Sequence, residues 1–170
     1  MKKTRTAGFL ALTVATILAT LFALAQPASA AVRDWVPAVS YGPNWHCTQN
    51  VQPHYVIDTC LINSHNGDEP VYRAVMVVHN ILTVRTDLRA TKINTWSLPS
   101  PAKQIRDDGC VDAFLVGMKY AGCFGTPVTR SQLCSIRPGA RSVTANGAIN
   151  LPFETQERIT VVSPPVAVVC

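Results

Sequence analysis

Six cysteines constrain the fold of this chain more than any other feature, and two of them bracket its most informative stretch. Cys110 and Cys123 enclose VDAFLVGMKYAG, one of the longest apolar runs, and Cys134 follows closely. Such a run is expected to be buried, with its ends tied by disulfides. Geometry limits how. A helix rises about 1.5 Å per residue and would hold the two cysteines about 20 Å apart. One uninterrupted strand would hold them further apart still. A disulfide needs Cα atoms within about 7 Å. The two can therefore pair only if the chain reverses between them, near Gly117; otherwise each takes a distant partner.

The period of this stretch fits two structures. As a helix, Asp108 would cap it and Gly122 would end it, with Cys110, Phe114, Met118 and Ala121 on one face. As strands, Val111–Val116 and Lys119–Cys123 would flank Gly117-Met118 in a type II′ turn. The strand reading is preferred because the rest of the chain is so β-like.

The N-terminus sets the compartment. Lys2, Lys3 and Arg5 precede an uncharged, mostly apolar stretch from Ala7 to Ala25, and Gln26-Pro27-Ala28-Ser29-Ala30 ends in a small-x-small site. This is the pattern of a secretory signal peptide over residues 1–30, cut after Ala30. All six cysteines lie beyond it, so an oxidising environment predicts three disulfides among Cys47, Cys60, Cys110, Cys123, Cys134 and Cys170. Six cysteines allow fifteen pairings, and spacing alone does not choose among them. The chain contains no CxxC, so thiolate ligation of a metal is not expected. The cleaved chain keeps twelve basic and ten acidic residues, a net charge of +2. That surplus argues for neither nucleic acid nor an anionic membrane.

In chain order, residues 31–46 read as an N-terminal arm broken by prolines and glycine, and 47–170 as one disulfide-linked β domain. Trp35, Tyr41 and Trp45 are expected to pack over an open face of the fold. Their alternative is an exposed aromatic platform for a glycan or polymer. His54–Ile62 alternates and is rich in β-branched residues, as in a strand with both faces partly covered. Asn66-Gly67 is the best hairpin signal, with Asp68, Glu69 and Pro70 extending the loop. Val71–Val84 reads as a long strand interrupted by a bulge at His79-Asn80. Leu88–Trp96 reads as the next, completing a three-strand meander with the two before it. Asp108-Gly109 and Asn146-Gly147 read as turns, Arg158–Ser163 as a strand, and Val166–Cys170 as a short one pinned by its terminal cysteine.

Chemistry is harder to find. Nucleophilic catalysis needs a serine or cysteine beside an oriented base. No GxSxG elbow occurs, and Ser64 and His65, as neighbours on a strand, point apart. His46, His54, His65 and His79 lack the HxH or HExxH spacing of zinc sites, and Asp107, Asp108 and Asp112 lack that of an EF-hand. Asp58 and Asp112 could form the carboxylate pair of a glycoside hydrolase, although any two buried acids would look the same in sequence. Gly125–Gln132, between Cys123 and Cys134, contains Arg130 and is the best candidate for a rigid inhibitory loop.

The composition resembles that of exported, disulfide-linked β domains of bacteria. The expectation is a single-domain, all-β, disulfide-bonded sandwich of immunoglobulin-like or related Greek-key topology, secreted and acting by surface recognition or as a structural component. No catalytic set, metal or cofactor is expected. Its partner would be an extracellular protein or a polysaccharide surface, with no nucleic acid and no membrane once the signal is removed. Trp35, Tyr41, Trp45 and Arg130 are the candidate recognition residues. A small secreted hydrolase, or a protease inhibitor using residues 125–132, is the alternative.

Overall fold

The computed structural model describes residues 31–37, 39–99, 101–154 and 158–170. The expected signal peptide lies outside the described residues, as does most of the polar segment 154–157. The remainder is an all-β sandwich of two sheets with three disulfides and one short helix.

The strands are β1 (Ala31–Arg33), β2 (Val36–Pro37), β3 (Trp45–Val51), β4 (Tyr55–Asn66), β5 (Glu69–Asn80), β6 (Thr86–Leu98), β7 (Lys103–Cys110), β8 (Ala113–Leu115), β9 (Tyr120–Phe124) and β10 (Val128–Thr129). Helix α1 (Arg130–Ile136) follows, then β11 (Ser142–Asn150), β12 (Ile159–Val162) and β13 (Val166–Ala167). One sheet has the order β1-β7-β6-β11-β12, with β8 also on β6 and β13 on β11. The other has the order β2-β9-β5-β4-β3, with β10 also on β5. Strand β5 pairs with β9 in the second sheet, while β6 pairs with β11 in the first. The β5–β6 and β9–β11 crossovers therefore interlock, which is the Greek-key connectivity of an immunoglobulin-like sandwich.

Alternation builds the core. Tyr55, Ile57 and Leu61 of β4, with Tyr72, Ala74, Met76 and Val78 of β5, face Ile93, Ile105, Val143, Ala145 and Ile149 of the first sheet. The two sheets are in close contact at Gly147, where a Cβ would lie 2.5 Å from both Met76 Cε and Thr59 Oγ1. That proximity explains why Asn146-Gly147 is not the expected turn. It lies inside β11, in register with β6 on one side and β12 on the other, and its glycine makes room for the opposite sheet.

Part of the outer face of β4 and β5 is apolar as well. Cys60, Val75 and Val77 are buried there beneath Val39, Trp45 and Phe124. The arm supplies that cover. Its β1 adds to β7 in parallel and its β2 adds to β9, one strand to each sheet. The arm also ends sooner than expected, because β3 begins at Trp45.

Several local expectations are corrected. Asn66 pairs directly with Glu69, so Gly67 and Asp68 form a two-residue turn, with Gly67 at φ 61° in its first central position. β5 holds its register on β4 through His79 and Asn80, without a bulge. The irregularity lies instead in β6. Ala90 has φ 50°, and the register on β11 slips between Ala148 and Asn150. The slip changes which alternate residues face inward, from Thr86 and Leu88 to Thr91, Ile93, Thr95 and Ser97. β6 also leaves the β4–β5 sheet, so the expected meander does not continue through it. Asp108-Gly109 is the end of β7, not a turn.

The cysteines pair in sequence order. Cys47 and Cys60 sit opposite each other on β3 and β4. Cys110 on β7 and Cys123 on β9 join the two sheets with Cα atoms 5.8 Å apart. Cys134 in α1 holds Cys170 at the chain end. The chain does reverse between Cys110 and Cys123, but not as a hairpin. β8 pairs with β6 and β9 with β5, so the reversal is a passage from one sheet to the other. Met118, not Gly117, takes the left-handed conformation, at φ 58°.

Candidate binding groove beside the inter-sheet disulfide

The stretch between Cys110 and Cys123 is less buried than its composition implies. Leu115 and Ala121 face the core, but Val111, Phe114, Val116, Met118 and Tyr120 are between 41% and 60% exposed. β8 is only three residues long and its pairing on β6 turns Phe114 outward. No element among the described residues covers that outward side. The result is an open groove of about 950 Å³, with Trp35, Val111, Phe114, Met118 and Tyr120 in its walls and the charged Asp34 and Lys119 among its lining.

The groove is held by backbone contacts as well as by the disulfide. A Cβ on Gly117 would lie 2.4 Å from the carbonyl carbon and oxygen of Thr83, so the reversal sits directly on the β5–β6 loop. Met118 N–H donates to Leu82 O at 2.9 Å. The buried Asn80 side chain donates to Val84 O and Leu115 O and accepts from Leu82 N–H, tying the β5–β6 loop to the end of β8. Arg85 stacks over the Phe114 ring at 5.0 Å. On the opposite wall the Trp35 indole N–H donates to Val111 O at 2.9 Å, and Val111 N–H donates to Arg33 O. The apolar side chains are thus presented on a fixed frame.

Tyr120 also borders a second, more polar depression of about 520 Å³ on the outer face of β4, β5 and β9. Its ring stacks on His79 with centroids 3.8 Å apart. Gln49, Asp58 and Tyr41 line it together with Cys47 and Val56. Tyr41 exposes much of its ring while its hydroxyl turns down to donate to the Asp58 carboxylate. Burial of that hydroxyl, followed by the Asp58 hydrogen bond, pushes its pKa far above the ordinary tyrosine value of 10.0.

The candidate recognition residues lie in different places. Trp35 lines the apolar groove, Tyr41 the polar depression, and Trp45 lies between Tyr41 and Phe124 over the outer apolar cluster. Arg130 is exposed elsewhere, as the first residue of α1. The segment 125–132 is no free loop: Gly125 N–H donates to Ala74 O, Val128 is buried on β5, and Thr129 and Gln132 form a reciprocal capping box. That T-x-x-Q signature is legible in sequence. The two carboxylates considered for a hydrolase lie at different sheets. Asp58 lies on the outer face of the second sheet, whereas Asp112 is exposed and accepts from Ala90 N–H of the first. Among the described residues, no three histidine, cysteine or acidic side chains gather as a metal site would require.

Compared with protein-family models and with curated proteins, the chain matches none.

Proposed function

We propose that this chain is an exported recognition protein that binds the apolar side chains of a partner protein in the groove beside Cys110–Cys123. The observation that carries this reading is the cluster of five large apolar side chains exposed around one groove and held by disulfide, glycine and asparagine contacts. Contiguous exposed apolar surface is costly in water and marks sites where another surface covers it. Aromatic and methionine side chains are enriched at such interfaces. A groove already fixed in shape loses less conformational entropy when it is filled. The three disulfides and the lack of a long apolar helix among the described residues fit an extracellular protein.

Selection of a displayed random-peptide library on the purified chain tests the proposal. Peptides rich in aromatic and aliphatic residues are expected, and Phe114→Ser with Met118→Ser should weaken their binding about 100-fold, the loss of two interface anchors. Tyr41→Ala should leave binding unchanged. Failure to select any binder, or selection of peptides that bind the double variant equally well, would overturn the groove as the site. A second reading, polysaccharide binding, is favoured by the Tyr120–His79 stack beside Asp58 and Gln49. Depletion of the protein by an insoluble polysaccharide, abolished by Tyr41→Ala and Tyr120→Ala together, would support that face instead.

A further inference from the structure

The first described residue makes a contact that the fold does not otherwise require. Ala31 N–H donates to Asp108 Oδ1 at 3.3 Å. Asp108 is only 2% exposed. Among the described residues, its other hydrogen bonds come from Thr126: the backbone N–H to Oδ2 at 2.7 Å and the hydroxyl to Oδ1 at 3.0 Å. Two cations lie close by and are spent on neutral oxygens. Arg33 donates to Thr126 Oγ1 and Arg73 donates to Gly125 O. Among the described residues, no cation is within ion-pair distance of Asp108. A carboxylate buried with no cation in direct contact is costly. The nitrogen aimed at it belongs to the residue that follows the small-x-small sequence Ala28-Ser29-Ala30.

We propose that Asp108 is the receptor for an α-ammonium group created by cleavage of the Ala30–Ala31 bond. Hydrolysis by an export peptidase adds one water, leaving a carboxylate on Ala30 and an ammonium on Ala31. The same nitrogen that donated one hydrogen bond as an amide then carries three donors and a positive charge beside the Asp108 carboxylate. Parallel pairing of Ala31 with Asp108, Val32 with Gly109 and Arg33 with Cys110 delivers it there. Processing therefore completes the β1–β7 edge of the sandwich, next to the Cys110 anchor of the groove.

The test uses the full chain expressed with its leader in an exporting host. Intact mass of the recovered protein should correspond to a chain starting at Ala31; any other start overturns the proposal. In the folded protein the Ala31 amine should react with an acylating reagent about tenfold more slowly than in urea, because the pair must open first. Equal rates would refute the pairing without any variant being needed. Acetylating that amine keeps an N–H donor but removes the charge. It should lower the melting temperature of the wild-type protein by several degrees and that of Asp108→Asn far less. No change in the wild-type protein, or an equal fall in both, would mean that Ala31 is only a hydrogen-bonded strand end. Should Asp108→Asn fail to fold, the acylation rates decide.

Discussion

At the scale of single residues, two glycines separate close packing that can adjust from close packing that cannot. A Cβ at Gly147 would meet the flexible end of Met76 and the Thr59 hydroxyl, whereas one at Gly117 would meet the Thr83 carbonyl and Leu82 O, both backbone. Overpacking costs about 1–3 kcal/mol, least where a side chain can move aside. Gly147→Ala should therefore destabilise by about 1 kcal/mol and Gly117→Ala by about 3 kcal/mol, read as shifts in the urea midpoint at unchanged slope. Equal shifts would show that the β5–β6 loop yields as easily as Met76. Neither role is legible in sequence. Asn146-Gly147 carries the residues of a turn, and only the nearness of a second sheet makes its glycine a spacer. Gly117 marks the chain reversal correctly, but its contact with Thr83 depends on a loop 34 positions earlier. Asn80 is similar, since its three hydrogen-bond partners lie on the β5–β6 loop and at the end of β8, which only the folded chain brings together.

At the scale of elements, alternation carried most of the fold. His54–Ile62 announced a strand with both faces partly covered, and β4 is covered by the opposite sheet on one side and by Val39 of the arm and Trp45 of β3 on the other. Alternation failed where an inserted residue changes its phase, as Ala90 does in β6, since nothing about an alanine announces φ 50°. It also failed between Cys110 and Cys123. Apolar content implied burial, but β8 has one covered side, so Phe114 and its neighbours became the groove. The site was thus hidden by the very signal that located the core. The helix α1 was missed for the opposite reason: its capping box stood in a stretch whose prolines and glycines suggested only loop. That helix matters because Cys134 within it holds Cys170, across 36 positions. Loop-closure entropy for a ring of that size is worth about 4 kcal/mol, against about 3 kcal/mol for the two bridges that each span 13 positions. Replacing Cys134 and Cys170 with serine should therefore lower stability by about 4 kcal/mol and expose β13 to fast amide exchange, leaving β4 and β5 protected. Uniform loss of protection would show that the C-terminal strand folds as one unit with the core.

At the scale of the whole molecule, the titrating groups with shifted affinities define a pH range. Glu69 begins β5 and accepts from both the hydroxyl and the backbone N–H of Ser131 in α1; these two hydrogen bonds hold its pKa below the ordinary 4.5. A carboxyl depressed by folding stabilises the native state above its unfolded pKa, and that contribution fades as the pH falls through the folded value. Tyr41, Tyr55 and Tyr72 are shifted in the other sense. Burial raises all three above 10.0, and in Tyr41 the Asp58 hydrogen bond raises it further. Groups raised by folding stabilise fully below their unfolded pKa and lose that contribution as the pH climbs through the folded one. Stability should thus form a plateau between 4.5 and 10.0, with an acid limb that Glu69→Gln flattens and an alkaline limb that Tyr41→Phe reduces. Urea midpoints across the pH range check both limbs. A phenolate absorbance titration should show these three tyrosines ionising above the ordinary 10.0 while the sandwich is folded. Ionisation of all three near pH 10.0 with the fold intact would mean that their hydroxyls reach water in the native protein. In that case the Tyr41–Asp58 contact would not close the polar depression beside the groove.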